Sequence, residues 1–311
     1  MAQGDLAQAT FAYGPSTPER ARWGDRAVQA FIWACGAFVL LTTLLMIAFL
    51  ASAGIRGMSE VGLSPLLFGV TWKPEKGLFG GVPLVFGTIV SGLGAVVLGA
   101  APAVLTAVWI SEFAPQSLRP VYRRAMEMAA AMPSVVYGWL ALVHLVPTLE
   151  RVAHSIYGDE VTGGEGLAAS ALLLAVMIAP TVFLLSLDAL SRVSNDFRHA
   201  SLVLGASPWQ TALRVVVPAC WRGIIVAVFF GFARAAGETM AVQMVIGGAR
   251  RLPATPFSPT TTISAQIVMD MQNAEPGTPS SNVLFSMALI LLVISAAVVL
   301  GTRALARRRK P

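Results

Sequence analysis

The sequence predicts an all-α integral membrane protein with six transmembrane helices, and three observations lead there. The 311 residues are 56% hydrophobic and only 12% charged, with a mean hydropathy of +0.70, whereas a soluble domain carries about a quarter charged residues. Six apolar runs, near 28–53, 83–110, 125–148, 167–190, 223–248 and 283–302, each reach the ~20 residues that cross a bilayer as a helix. None of these runs alternates as a barrel strand does, so backbone groups in lipid must pair within helices.

The net charge of +6 is distributed as a topology signal, not as a nucleic-acid surface. With the N-terminus inside, fifteen of the 22 basic residues fall in cytoplasmic segments, among them Arg20, Arg22, Arg26, Arg119, Arg123, Arg124 and the 303–310 cluster. Six fall outside, at Arg56, Lys73, Lys76, Arg151, Arg250 and Arg251, and Arg234 lies within a span. This positive-inside bias predicts two cytoplasmic termini.

Taken in order, residues 1–27 read as a polar cytoplasmic tail, 28–303 as the six-helix domain and 304–311 as a basic cytoplasmic tail. The first run, flanked by arginines and followed by Ala51-Ser52-Ala53-Gly54, imitates a signal peptide. Its length of ~23 apolar residues against the usual 7–15 predicts an uncleaved helix. In the outside loop 54–82, "VTWKPEKGLFGG" marks turns. In the outside loop 249–282, "TTISAQIVMDM" (261–271) fits either a short helix on the membrane surface or ordinary loop packing. Cys35 and Cys220 offer no disulfide framework, and His144, His154 and His199 fall in different segments, so no metal site is expected.

The cytoplasmic segment 193–222, "VSNDFRHASLVLGASPWQTALRVVVPACWR", carries the densest local signals. Ser194 or Asn195 caps a helix start, Asp196 suits its first turn, and Gly205 suits its end. A second helix starts at Ser207-Pro208-Trp209-Gln210, a capping box with proline at the first helical position, and Pro218 is expected to end it. The pair displays Leu202, Val203, Leu204, Trp209 and Leu213, too much apolar surface to leave in water. It either folds back on its own bundle or docks a cytoplasmic partner; tied at both ends to membrane helices, it is poorly placed to enter a DNA groove.

Enzymatic machinery is missing. Lys73, Lys76 and Lys310 are followed by Pro74, Gly77 and Pro311, so no phosphate-cradling Gly-Lys-Ser/Thr loop exists. There is no His-Glu-x-x-His helix, and Gly205-Ala206-Ser207-Pro208-Trp209 lacks the closing glycine of a serine elbow.

The 193–222 segment resembles the cytoplasmic loop of bacterial ABC importer permeases, Glu-Ala-Ala, three residues, Gly, nine residues, Ile-x-Leu-Pro. Here His199-Ala200-Ser201, Gly205 and Val215-Val216-Val217-Pro218 keep the spacing while His199 replaces the glutamate. Three further stretches, "TWKPEKGLFGGVPLVFGT" (71–88), "MPSVVYGWLAL" (132–142) and "GFARAAGETMAVQMVIGG" (231–248), resemble the PstC-type permease subunit of the phosphate-specific ABC importer. The resemblance implies the binding-protein-dependent ABC permease fold, with a coupling helix pair in which His199, Ala200, Ser201, Leu204, Gly205, Ala206, Trp209 and Pro218 meet the ATPase. It also implies a sister permease, two copies of a cytoplasmic ATPase that uses ATP and Mg, an external phosphate-binding protein, and a place in the bacterial inner membrane. The chain itself is expected to bind no cofactor. A sulfate or molybdate permease and a secondary anion transporter are the alternatives.

Arg234 and Glu238 stand in the fifth run. At a helix centre each costs about 2.5–3.5 kcal/mol, while the ten Ile, Val and Phe of that run return about 3–6 in total. The charges must therefore face the bundle or water. On a continuous helix Ala227, Gly231, Gly237 and Ala241 share their side, with Phe229 and Phe232 opposite. Either the two charges pair with each other at i, i+4 as glue, or they line a translocation path in which Arg234 offers its guanidinium to phosphate and Glu238 positions it.

Overall fold

A computed structural model describes residues 19–158, 163–275 and 277–307. Most of the expected polar tail lies outside them, as do the last residues of the basic tail; residues 19–27 and 304–307 are helical. In chain order the elements are α1 (Glu19–Val61), α2 (Leu63–Phe68), β1 (Trp72–Lys73), β2 (Leu78–Phe79), α3 (Val82–Ala95), α4 (Ala101–Glu112), α5 (Leu118–Ala131), α6 (Ser134–Leu140), α7 (Val146–Tyr157), α8 (Leu167–Ser191), α9 (Asn195–Val203), α10 (Pro208–Thr211), α11 (Val217–Gly237), α12 (Met240–Gln243), α13 (Ile263–Met271) and α14 (Pro279–Arg307). Among the described residues, six continuous helical stretches are long and apolar enough to cross a membrane: Asp25–Val61, Val82–Glu112, Ser134–Tyr157, Leu167–Ser191, Pro208–Gly237 and Pro279–Gly301.

Two units make up the chain, Met1–Phe49 and Leu50–Pro311. In the first, the described side chains from Asp25 to Phe49 are exposed along the whole helix, and Thr42 and Thr43 spend their hydroxyls on the carbonyls of Phe38 and Val39. The helix runs unbroken through Ala51-Ser52-Ala53.

The second unit is organised around α8, whose residues apart from Asp188 near its end are apolar, small or hydroxylic on every side, the pattern of a buried helix. Leu174, Ile178, Val182, Phe183 and Leu190 form one core with α3, α4 and α11. Glycines let the helices approach closely: a Cβ on Gly231 of α11 would lie 2.6 Å from Val182, and one on Gly223 2.6 Å from Ala189. Because lipid is as apolar as leucine, such van der Waals contact takes the place of the hydrophobic effect in holding spans together. A second core joins Leu66, Trp72, Phe79, Leu84 and Ile263 to Val283, Leu284 and Met287 of α14.

Prolines shape three spans in one way. Pro102, Pro147 and Pro218 each follow a five-residue π turn, at Val96–Ala100, Ala141–Leu145 and Ala212–Val216. In each, the residue before the proline donates to the carbonyl five positions back. A proline has no N–H to give, and its ring collides with the carbonyl four positions back; widening the turn relieves both. Pro218 therefore does not end the second helix of the 193–222 loop as expected, and α10 runs on through the π turn into α11.

Two other boundaries depart from expectation. The third span is Ser134–Tyr157 rather than 125–148, because Met132 is extended (φ −64°, ψ 136°), the conformation Pro133 imposes on its predecessor; Leu118–Ala131 forms the separate helix α5. The fifth span ends at Gly237, so 238–248 is not part of it. The turn-rich stretch near Trp72 is a two-stranded hairpin, Trp72 opposite Phe79 and Lys73 opposite Leu78, closed by Gly77 at φ 66°. Residues 263–271 do form a helix, but Ile263, Ala265, Gln266 and Asp270 are buried within the chain.

Candidate functional site

Arg234 stands on α11 beside α8, and its Nη1 donates to Thr181 Oγ1 at 3.2 Å. Counting at 1.5 Å per residue, Thr181 lies about 21 Å from the Leu167 end of α8 and about 15 Å from the Ser191 end, near mid-span. Among the described residues no ion pair joins Arg234 to an acid, and the guanidinium is exposed on this chain. The i, i+4 pairing with Glu238 does not form. Past Gly237 the backbone turns extended at Glu238 (φ −69°, ψ 134°), and the break is held by Ser264, whose Oγ donates to the Glu238 carbonyl at 2.7 Å. The Glu238 carboxylate instead lies over the start of α12, accepting the Ala241 N–H at 3.4 Å. Gly237 was a legible stop signal, a glycine just past the periodic residues.

The break also redraws the small face. Ala227 and Gly231 are buried, Gly237 is exposed, and Ala241 sits on α12 against Gly138 of α6. Phe229 is exposed, whereas Phe232 is buried and meets Gly92 of α3. Beyond α12 the chain turns at Gly247 and Gly248, with φ of 84° and 66°. It returns along the Leu167 end of α8, where Gly166 N–H bonds the Val245 carbonyl at 3.0 Å and Ala168 N–H that of Pro256 at 2.8 Å.

At the Ser191 end, the 193–222 loop is built as its caps imply. Ser194 Oγ accepts the Asp196 N–H at 3.2 Å. Ser207 and Gln210 exchange both bonds of a capping box, at 3.0 and 3.2 Å. Gly205 makes the turn at φ 85°. His199 and Ala200 are exposed and Ala206 partly so. Val203 and Leu204 are 87% and 88% exposed, so the apolar tip does not fold back on its own bundle. Pro218 lies beyond the α9–α10 pair, in the first turn of α11.

Two contacts that the sequence did not disclose hold this loop to the bundle, and a third ties its two helices to each other. Arg198 grips Glu112, at the end of α4, with Nε and Nη2 at 3.0 and 2.9 Å, and also donates to the carbonyls of Val193 and Leu190. The hydrogen bond to Glu112 raises the Arg198 pKa above its ordinary value despite partial burial. Trp209 stacks obliquely on Phe113 with centroids 5.6 Å apart, and the Ser201 and Thr211 hydroxyls bond at 2.9 Å.

At the opposite end of the bundle, Asp270 of α13 accepts Trp72 Nε1–H at 2.8 Å and pairs with Arg250 at 2.5 Å. Asp270, Trp72, Arg250 and Glu75 line a cavity of about 370 Å³. Among the described residues no three His, Cys, Asp or Glu gather as metal ligands would.

A family described as the binding-protein-dependent transport system inner membrane component matches residues 103–311, more than half of the chain. The chain belongs to this family. It is 36% identical over 290 residues to the probable ABC transporter permease protein YqgH of Bacillus subtilis, covering 91% of each. It is 31% identical over 253 residues to the phosphate transport system permease protein PstC of Mesorhizobium japonicum, covering 77% of each. Among solved structures, a bacterial ABC transporter for import of the acidic polysaccharide alginate shares the fold, with a TM-score of 0.59 at 17% identity over 94% of this chain and 100% of that one. The fold is thus the ABC importer permease fold, and the chain is a multi-pass transport component of a membrane. The family match takes in α8, the 193–222 loop, Arg234 and Asp270 together.

Proposed function

We propose that the chain is the transmembrane permease subunit of an ATP-driven phosphate importer and forms half of its translocation path. The sister permease supplies the other half, two copies of a cytoplasmic ATPase bind and hydrolyse ATP with Mg, and an external binding protein delivers phosphate. Both termini lie in the cytoplasm. The 193–222 loop is the coupling element: His199, Ala200, Ser201, Leu204, Gly205, Ala206 and Trp209 meet the ATPase, and Pro218 aligns α11 behind them. The exposed Val203 and Leu204 support this reading, since such a tip is stable in the cytoplasm only when a partner covers it.

The phosphate assignment follows the relatives named for phosphate transport, and Arg234 carries the path. A guanidinium level with the middle of α8, which no acid among the described residues neutralises, is costly against lipid and suited to an oxyanion, whose oxygens it can grip two at a time. Glu238 closes the same region from the helix break and limits how tightly the anion is held. The test is Arg234→Gln in the assembled complex. Normal subunit levels with lost uptake of labelled phosphate are expected, and Glu238→Gln added to it does not restore uptake. Parental uptake by that double variant refutes the reading.

A further inference from the structure

Thr181 behaves unlike five other helical threonines. In a helix, a threonine hydroxyl commonly donates back to the carbonyl four residues earlier. Thr42, Thr43, Thr88, Thr106 and Thr148 all do so, at 2.7–2.8 Å. Thr181 makes no such bond to Met177 among the described residues; its oxygen accepts from Arg234 instead, at 3.2 Å. A hydroxyl has one proton to give and two lone pairs, so in this arrangement a lone pair is used and the proton is unspent. The residue is half-buried beside the exposed Arg234, so the unspent proton opens on the same space as the guanidinium. An unsatisfied donor at mid-span is costly, unless the ligand of that space is itself an acceptor.

We propose that Thr181 is a second donor of the anion path. It fixes one arm of the Arg234 fork by accepting its N–H, and gives its own hydroxyl proton to an oxygen of the same tetrahedral oxyanion. This rests on the reading of Arg234 as a path residue. Two adjacent donors of different kinds then face one anion. The guanidinium supplies charge, and the hydroxyl, set 3.2 Å from it by α8, supplies direction.

The experiment compares Thr181→Val, Thr181→Ser and Arg234→Gln in the full complex, reconstituted in liposomes with its partner subunits, by uptake of labelled phosphate per assembled complex. Valine keeps the shape and removes the hydroxyl; serine keeps the hydroxyl and removes a methyl. Uptake by the valine variant is expected to fall about tenfold or more, the size of one lost hydrogen bond to a charged group, with serine within about twofold of the parent. A purely packing role predicts the reverse order, since serine loses more contact than valine, and that order overturns the proposal. Parental uptake by the valine variant overturns it as well. If valine hinders assembly, Thr181→Ala with serine as its control carries the same comparison. Inactive Arg234→Gln beside parental Thr181→Val removes this inference alone, whereas parental uptake by Arg234→Gln removes the reading beneath it.

Discussion

Gly205 offers a perturbation whose cost can be worked out from the backbone alone. Its φ is 85°, and a Cβ built there meets nothing within 4 Å, so a substitution adds no clash and only the left-handed backbone resists it. That conformation costs an L-residue about 1–2 kcal/mol, more for a β-branched side chain and less for asparagine. A change of that size moves a local equilibrium by a factor of roughly 5–30, enough to free the α9–α10 turn from its folded geometry. Phosphate transported per ATP hydrolysed, measured in liposomes holding the full complex, should fall in the order Gly205, Asn, Ala, Val. The ATPase should remain bound, since Val203 and Leu204 are untouched. Asparagine as damaging as valine would show that volume against the partner matters, not φ, and an unimpaired valine variant would refute the coupling role of the turn.

Glu112→Gln removes one partner of the Arg198 pair, whose side chains are 8% and 19% exposed. It should lower the melting temperature of the purified complex by an amount equivalent to about 3 kcal/mol, and Arg198→Met added to it should recover part of the loss. Asp270→Asn and Trp72→Phe should be non-additive in a double-mutant cycle on thermal stability, with about 1 kcal/mol of coupling across their hydrogen bond; additive effects would dissolve the Trp72–Asp270–Arg250 cluster as a unit. Cysteines replacing Ser59 or Ser280 should react with impermeant reagents from the external face, and labelling only from the cytoplasm would reverse the topology.

What the sequence determined by itself was whatever depends on composition or on neighbours a few residues apart. Six apolar stretches follow from hydropathy, and the caps at Ser194 and Ser207 and the turn at Gly205 follow from backbone groups satisfied within three or four residues. The family pattern around Gly205 was legible for the same reason. Stop signals such as Gly237 and Pro133 are local too, but tertiary structure decided how the break after Gly237 is held, through Ser264 taking the Glu238 carbonyl. It also chose the partners. Arg234 could read its nearest acid four positions on, but its hydrogen bond goes to Thr181, 53 residues away. Glu112 meets Arg198 across 86 residues and Trp72 meets Asp270 across 198. Such pairs leave no local trace, because a charge or an indole N–H near mid-chain states only that it needs a partner, and packing around α8 selects which one arrives.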